Sequence, residues 1–168
     1  HLAAHCRAFI AASPFLTLAT SDGTRLDVSP KGDAPGFVQC DGGHAILIPD
    51  WPGNNRLDGL TNLLSHPGAA VIFMIPGVKD TLRVNGPASI HDEEALRARF
   101  EARGRLPLTV IRVEAEEVYL HCAKAFLRSR LWDPDSWHAE RPIAPSAEML
   151  DAHIGHAPQG PKPSNEDL

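Results

Sequence analysis

Two polar loops of this chain each carry a cation in surroundings that suit an anion. The first loop, residues 29–33, reads SPKGD and contains Lys31, and the second, residues 52–60, reads PGNNRLDGL and contains Arg56. A positive side chain beside free backbone N–H groups is the arrangement that proteins use to hold phosphate. The two loops therefore predict one phosphate-binding site, with Ser29 and Asn55 as further hydrogen-bonding groups.

The second loop opens an amphipathic helix, which we expect over residues 56–65. Its leucines 57, 60, 63 and 64 share one stripe. Asn54 or Asn55 can cap its N-terminus, where unpaired N–H groups and the helix dipole favour an anion. Taken alone, each loop fits an ordinary capped surface helix with a solvated cation better than it fits a phosphate site.

A third cationic stretch lies near the C-terminal end, in residues 124–132. It holds the cations Lys124 and Arg128, and Arg128 and Ser129 could add to the anion site from the same chain or from a neighbouring subunit. Trp51 and Trp132 are candidates to stack on an aromatic ring, and ordinary packing explains each of them equally well.

Other kinds of chemistry have little support in the sequence. His121 and Cys122 are adjacent and point to opposite faces of a strand, so they cannot jointly hold a metal ion. There is no GxSxG elbow, Walker loop or GxGxxG fingerprint, and no paired carboxylates suited to acid–base catalysis. If the protein is an enzyme, a cofactor is expected to carry the chemistry.

The composition limits the function classes further. The chain has 168 residues and a formal net charge of −5, and its Lys and Arg residues are scattered, which argues against a nucleic-acid-binding surface. The three cysteines are far apart and form no CxxC, as in a reducing cytoplasm, and we expect each to be a small buried residue. No apolar run has the length of a membrane span, and no signal-peptide pattern is present.

The pattern of apolar residues predicts mainly strands joined by hairpins. A short N-terminal helix precedes one hairpin over residues 15–29, in which Leu26 and Val28 share a side of a half-buried strand, and a second hairpin spans residues 37–48. Strands follow at residues 69–75 and 81–90, with a bend at the Asn85, Gly86 and Pro87 sequence, and then one long or broken strand from residue 108 to 122. This order predicts an antiparallel barrel or curled sheet rather than a βαβ sheet.

Taken together, the segments PFLTLATSDG, TRLDVSPKGD, ILIPDWPGNNRLDGLTNLLSHP, TLRVNGPASI and HCAKAFLRSRLW resemble the pyridoxamine 5′-phosphate oxidase-like family of FMN-binding split-barrel proteins. The resemblance covers the chain to about residue 137. It implies a six-stranded antiparallel Greek-key split β-barrel in residues 1–140. Residues 141–168 would be a Pro-rich tail, mobile or packed on the partner subunit.

The resemblance also implies a homodimer with FMN at the subunit interface. Its phosphate would be held by Lys31 and Arg56, with Ser29 and Asn55 as polar contacts. Arg25 and Val28 lie on the strand that runs beside the flavin ring in the family. The element that closes over the flavin from the partner chain matches Lys124, Arg128, Ser129 and Trp132.

The sequence departs from true pyridoxamine phosphate oxidases at two motifs. It has GNNR where they carry an SRKG-like loop, and RSRLW where they carry an Arg-x-His pair for substrate. We therefore expect an FMN-dependent oxidoreductase acting on another small molecule, with no nucleic-acid or membrane partner. The alternatives are a split barrel that binds F420 or haem, and a non-enzymatic flavin carrier or sensor.

Overall fold

The computed structural model describes residues 1–53 and 56–154, and its chain divides into two compact units. The first unit runs from His1 to Trp132 and contains eight strands and four short helices. The strands are β1 (Phe15–Ser21), β2 (Leu26–Gly32), β3 (Gln39–Asp41), β4 (Ala45–Asp50), β5 (Gly68–Met74), β6 (Thr81–His91), β7 (Thr109–Glu114) and β8 (Glu117–His121). The helices are α1 (Ala4–Ala12), α2 (Asp58–Ser65), α3 (Glu94–Arg97) and α4 (Lys124–Ser129).

The second unit begins at Asp133. Its described part contains a 3-10 turn at Pro134–Ser136 and the helix α5 (Ser146–Ile154).

All strand pairs are antiparallel, in the order β2-β1-β5-β6-β7-β4-β3, with β8 added to β6. This arrangement confirms the expected fold class, a mainly β split barrel with short helices. There are eight strands rather than six because β3 is a separate short strand and because the chain after Thr109 breaks at Ala115 and Glu116.

Strand β6 connects the two halves of the barrel. Its first part pairs with β5 as far as Pro87, and its last part pairs with β7 from Ala88 onward. The predicted bend at residues 85–87 falls at this change of partner. A Cβ on Gly86 would overlap the carbonyl oxygen of Glu114, so only glycine lets the two backbones pass so closely.

The core lies between the two halves and follows the alternation of the strands. In β1, for example, Leu16 and Leu18 are buried. Leu2 and the helix α1 that follows it cover one end of the core, through the buried Leu2 and Ile10 and the half-buried Cys6 and Phe9.

Two apolar predictions were wrong. Leu26 and Val28 of β2 are 84% and 63% exposed, because β2 is an edge strand whose polar face points inward. In α2, Leu63 is buried, whereas Leu57 and Leu64 are 59% and 79% exposed. The helix begins at Asp58 rather than at residue 56 and packs on β1 and β2 through one narrow side.

The cysteines also differ in part from the expectation. All three are free thiols, but Cys122 is exposed and only Cys6 and Cys40 are half-buried.

Candidate functional site

A cavity of about 630 Å³ opens between β2 and the end of β4. Strands β2 and β4 lie near opposite ends of the strand order, so the cavity occupies the split in the barrel. Its volume is in the range of small-molecule and cofactor sites. It is lined by Leu18, Asp27, Val28, Ser29, Pro30, Lys31, Gly32, Phe37, Pro49, Asp50, Trp51, Pro52, Gly53, Arg56, Leu57, Asp58, Gly59, Leu60, Leu108 and Ile111.

Strand β2 supplies the polar wall of the cavity. Asp27, Ser29 and Lys31 alternate along the strand and are all half-buried, as residues on one face should be. The Ser29 hydroxyl donates a hydrogen bond to Oδ2 of Asp27 over 2.8 Å. The strand therefore presents a carboxylate, a hydroxyl and an ammonium group to the same space.

Lys31 also joins the two sides of the split. Its Nζ donates to Oδ1 of Asp50 at the end of β4, over 2.5 Å. The two side chains are only 18% and 15% exposed, so water weakens this ion pair less than it would weaken a surface pair. Any anion that binds Lys31 has to share it with Asp50.

The start of α2 forms the rim opposite β2. Arg56 donates two hydrogen bonds to Oδ2 of Asp58, at 3.0 and 2.7 Å, and this contact raises the pKa of the guanidinium. The N-cap residue is Leu57, which makes no side-chain cap hydrogen bond. The predicted capping by Asn54 or Asn55, and the predicted contact of Asn55, lie outside the described residues.

Helix α2 approaches β2 closely at Gly59. A Cβ at this position would lie 3.3 Å from Oδ2 of Asp27 and 3.7 Å from Oγ of Ser29. Behind it, the buried Asn62 amide donates to Oγ1 of Thr20 over 3.1 Å, which ties the helix to β1. The rim of the cavity is therefore held on the sheet by polar contacts as well as by Leu63.

The remaining walls of the cavity are largely apolar. They come from the sheet and from the loops around it, through Leu18, Phe37, Leu60, Leu108 and Ile111. Trp51 lies at the start of the loop after β4 and also lines the space. A flat ring would find apolar contacts here, next to the charged end of the cavity.

The structure brings together only some of the predicted site residues. Val28, Ser29, Lys31 and Arg56 line the cavity. Arg25 lies in the turn between β1 and β2, where its exposed side chain pairs with Asp22 at 3.6 Å and does not line the cavity.

The predicted residues of the C-terminal segment also lie elsewhere within the chain. Lys124, Arg128 and Ser129 belong to α4, and none of them, nor Trp132, lines the cavity. Trp132 stacks on Phe126 with ring centroids 5.6 Å apart, and its indole N–H donates to the Val78 carbonyl. This tryptophan thus fixes α4 against the turn between β5 and β6.

Sequence reasoning missed the three carboxylates of the cavity, Asp27, Asp50 and Asp58. Asp27 was detectable, because alternation places it on the same face as Ser29 and Lys31. The contact of Asp50 with Lys31 was not detectable, because it joins residues 19 positions apart across the split.

Residues 1–53 and 56–154 contain no group of three or more His, Cys, Asp and Glu side chains placed to hold a metal ion. None of the helices found there is long and apolar enough to cross a membrane.

Solved structures with a similar fold come from several bacteria. HupZ of Group A Streptococcus has a TM-score of 0.58 and 15% identity, over 71% of this chain and 94% of that one. An FMN-binding protein from Syntrophomonas wolfei subsp. wolfei has a TM-score of 0.53 and 16% identity, over 69% and 83% of the two chains. General Stress Protein 26 from Bacillus anthracis has a TM-score of 0.51 and 17% identity, over 67% and 88%.

At these identities the similarity shows the fold alone. No curated protein matches this chain in sequence. The family profile of pyridoxamine 5′-phosphate oxidase, however, matches residues 2–122, which include every strand and the whole described lining of the cavity. The chain therefore belongs to the pyridoxamine 5′-phosphate oxidase family.

Proposed function

We propose that this protein is an FMN-dependent oxidoreductase that binds its cofactor in the cavity between β2 and α2. The observation that carries the proposal is a cavity lined both by the donors Ser29, Lys31 and Arg56, with the carboxylates that pair with the two cations, and by apolar side chains. FMN has the same division, with a dianionic phosphate at one end and a flat ring system at the other. The domain of residues 1–140 would bind it, in a cytoplasmic protein.

The phosphate end would lie between Lys31 and Arg56. Both cations now contact carboxylates, so a phosphate would bind by replacing or sharing the contacts to Asp50 and Asp58. The first backbone N–H groups of α2 have no partner within the helix and add donors at the same end. Ser29 and Asn55 would supply further hydrogen bonds.

The ring would lie against the apolar walls, with Val28 and Trp51 beside it. When bound, the flavin supplies hydride or electron transfer, so the protein needs no nucleophile of its own for that reaction. The tasks of the chain are to hold the phosphate, to orient the ring and to keep water away from its apolar part.

The cavity lining favours FMN over the two other cofactors considered. Among its described residues there is no His, Cys, Met or Tyr to serve as an axial ligand of haem. Lys31 and Arg56 are the cations among those residues, whereas the polyglutamate tail of F420 calls for additional ones.

We propose that the protein is a homodimer that binds FMN near the subunit interface. Leu26 and Val28 of edge strand β2 are largely exposed in one chain, Val28 at the border of the cavity, as expected for residues that a second copy covers. Lys124, Arg128, Ser129 and Trp132 would then reach the flavin from the partner. Arg25 would lie beside the flavin ring. Residues 141–168 would form the Pro-rich tail, mobile or packed on the partner subunit.

An absorption spectrum followed by FMN titration tests the proposal. We expect absorption bands of the flavin at about 375 and 450 nm, and stoichiometric uptake of FMN by the apo-protein. Lys31→Ala and Arg56→Ala should each weaken FMN binding about tenfold or more, because a charge-assisted hydrogen bond contributes about 1.5–3 kcal/mol. Arg105→Ala, an exposed arginine outside the cavity, is the matched control and should leave the affinity unchanged.

Protein that takes up no FMN would overturn the proposal, and unchanged affinity in the Lys31 and Arg56 variants would overturn the site. Turnover with NAD(P)H separates an enzyme from a flavin carrier. A carrier would bind FMN as expected but would not reduce it.

A further inference from the structure

A second group of reactive side chains lies where β6 leads into α3, and none of its members lines the cavity described above. Ser89 Oγ lies 2.8 Å from Nε2 of His91. Nδ1 of the same ring lies 3.3 Å from Oε2 and 3.4 Å from Oε1 of Glu93. A hydroxyl, an imidazole and a carboxylate are therefore connected in series.

The alternation of β6 explains this series. Ala88 and Ile90 point into the core, so Ser89 and His91 both point to the opposite face of the sheet. Glu93 follows at the N-cap of α3, where the chain turns away from the strand. The three side chains are thus held by a paired strand and the helix start that follows it.

The carboxylate determines which imidazole nitrogen carries the proton. A hydrogen bond from its own backbone N–H, and then the one from His91, lower the pKa of Glu93. An ionised carboxylate only accepts hydrogen bonds, so Nδ1 of neutral His91 must be the N–H donor. Nε2 is then unprotonated and accepts the hydrogen bond of the Ser89 hydroxyl.

Arg112 shares this face of the sheet but points away from the hydroxyl. It lies on β7, directly opposite Ser89 in the strand register. Its guanidinium donates to Asp41 of β3 and to Glu114, on the side of β7 that faces away from β6. The site therefore rests on the three side chains in series.

We propose that Ser89, His91 and Glu93 form a nucleophilic site that hydrolyses small activated acyl esters. Ser89 Oγ attacks the ester carbonyl while its proton passes to Nε2 of His91, and solvent water solvates the carbonyl oxygen as it becomes negative. The bond to the leaving oxygen then breaks, and that oxygen takes the proton from Nε2. Glu93 is a positioning residue, which keeps the ring in the required tautomer.

Water completes the reaction. It attacks the acyl group on Ser89 and gives a proton to Nε2, which returns it to the Ser89 oxygen as the carboxylic acid leaves. The net reaction is ester plus water to acid plus alcohol, and no oxidant or reductant is needed. This activity is independent of FMN and extends beyond the function proposed above.

The solvent exposure of Ser89, His91 and Glu93 indicates the class of substrate. Ser89 is exposed, and the side chains of His91 and Glu93 are 28% and 64% exposed, so the site offers little apolar surface for a long acyl chain. Short acyl groups with a good leaving group, such as acetyl esters of phenols, are the substrates that this geometry suits.

The first test measures hydrolysis of p-nitrophenyl acetate. In the second, the protein is labelled with a fluorophosphonate, and peptide mass spectrometry identifies the labelled residue. We expect the label on Ser89 and an acetylated Ser89 early in turnover. Ser89→Ala should abolish both, and His91→Gln should slow hydrolysis about 100-fold or more. Ser146→Ala, which removes another exposed hydroxyl, should behave as wild type.

Glu93→Gln distinguishes positioning from a structural role. Because the carboxylate holds the ring in the required tautomer, its loss should lower kcat for hydrolysis while leaving KM nearly unchanged. Unfolding temperatures should show that the variants remain folded. Label spread over several serines, or equal hydrolysis by folded Ser89→Ala protein, would overturn the proposal.

Discussion

At the scale of single residues, Lys31 has two roles that compete. It forms a half-buried ion pair with Asp50 across the split of the barrel, and in the proposed function it also contacts the cofactor phosphate. Because one ammonium group has only three donors, stronger pairing with Asp50 leaves less of it for an anion. Asp50 therefore stabilises the empty cavity and weakens the affinity for an anion in it.

Replacement of Asp50 by asparagine tests this competition. Asp50→Asn should lower the free energy of unfolding of the apo-protein by about 1–3 kcal/mol, between the values for exposed and fully buried ion pairs. It should also tighten FMN binding, because one carboxylate that repels the phosphate is gone. Urea unfolding and FMN titration measure the two effects, and Asp58→Asn, at the more exposed pair, should destabilise less.

If Asp50→Asn protein bound FMN more weakly than wild-type protein, the proposed competition for Lys31 would be contradicted. It would mean that Asp50 holds Lys31 in the position that the phosphate needs.

At the scale of secondary structure elements, β6 determines how the cavity is formed. It pairs with β5 and β8 in one half of the barrel and with β7 in the other, so its bend sets how the halves are joined. The two sheets can cross only where the β6 backbone passes the end of β7 without an intervening side chain. Gly86 occupies that point.

We expect Gly86→Ala to be strongly destabilising. The added methyl group would overlap the Glu114 carbonyl oxygen, and a backbone neighbour cannot move aside as a flexible side chain can. Overpacking of this kind costs about 1–3 kcal/mol or more. Thermal or urea unfolding checks the loss, with Gly43→Ala as the control, since its Cβ would meet only His1 at 3.9 Å.

Equal stability of the two glycine variants would show that β6 and β7 can move apart. The bend would then not depend on glycine.

At the scale of the whole molecule, edge strand β2 has an inverted distribution of polarity. Its polar residues Asp27, Ser29 and Lys31 are half-buried at the cavity, whereas Leu26 and Val28 are largely exposed, and Val28 also borders the cavity. An apolar outer face on an edge strand favours association with another chain. In the proposed homodimer this face is covered, and the C-terminal segment of one copy reaches the flavin of the other.

Leu26→Lys tests the dimer without altering the cavity lining, to which Leu26 does not belong. A charge buried at the interface of two copies should raise the dimer dissociation constant at least about tenfold. The affinity for FMN should fall as the dimer dissociates, because the contacts that the partner subunit makes with the flavin are lost. Leu64→Lys, an equally exposed leucine on α2, is the control, and light scattering with FMN titration measures both quantities.

Wild-type protein that is monomeric and still binds FMN tightly would contradict a site shared between subunits. Lys124, Arg128, Ser129 and Trp132 would then have no part in it.

Much of the local structure follows from the sequence. Alternation and turn residues give the strands, the hairpins and the mainly β class, and the polar loops at Lys31 and Arg56 indicate the site. These features depend on neighbours within a few positions of the chain. The apolar side of α1 and the bend near Gly86 were predictable for the same reason.

Only the tertiary structure decided which faces and which distant residues meet. Periodicity shows that Leu26 and Val28 share a side of β2, but the pairing register with β1, which sets Ser29 opposite the buried Leu18, turns that side outward. The contact of Lys31 with Asp50 depends on strands that are distant along the sheet path and close across the split. Local preference sets what each segment forms, whereas sheet topology sets what its side chains meet.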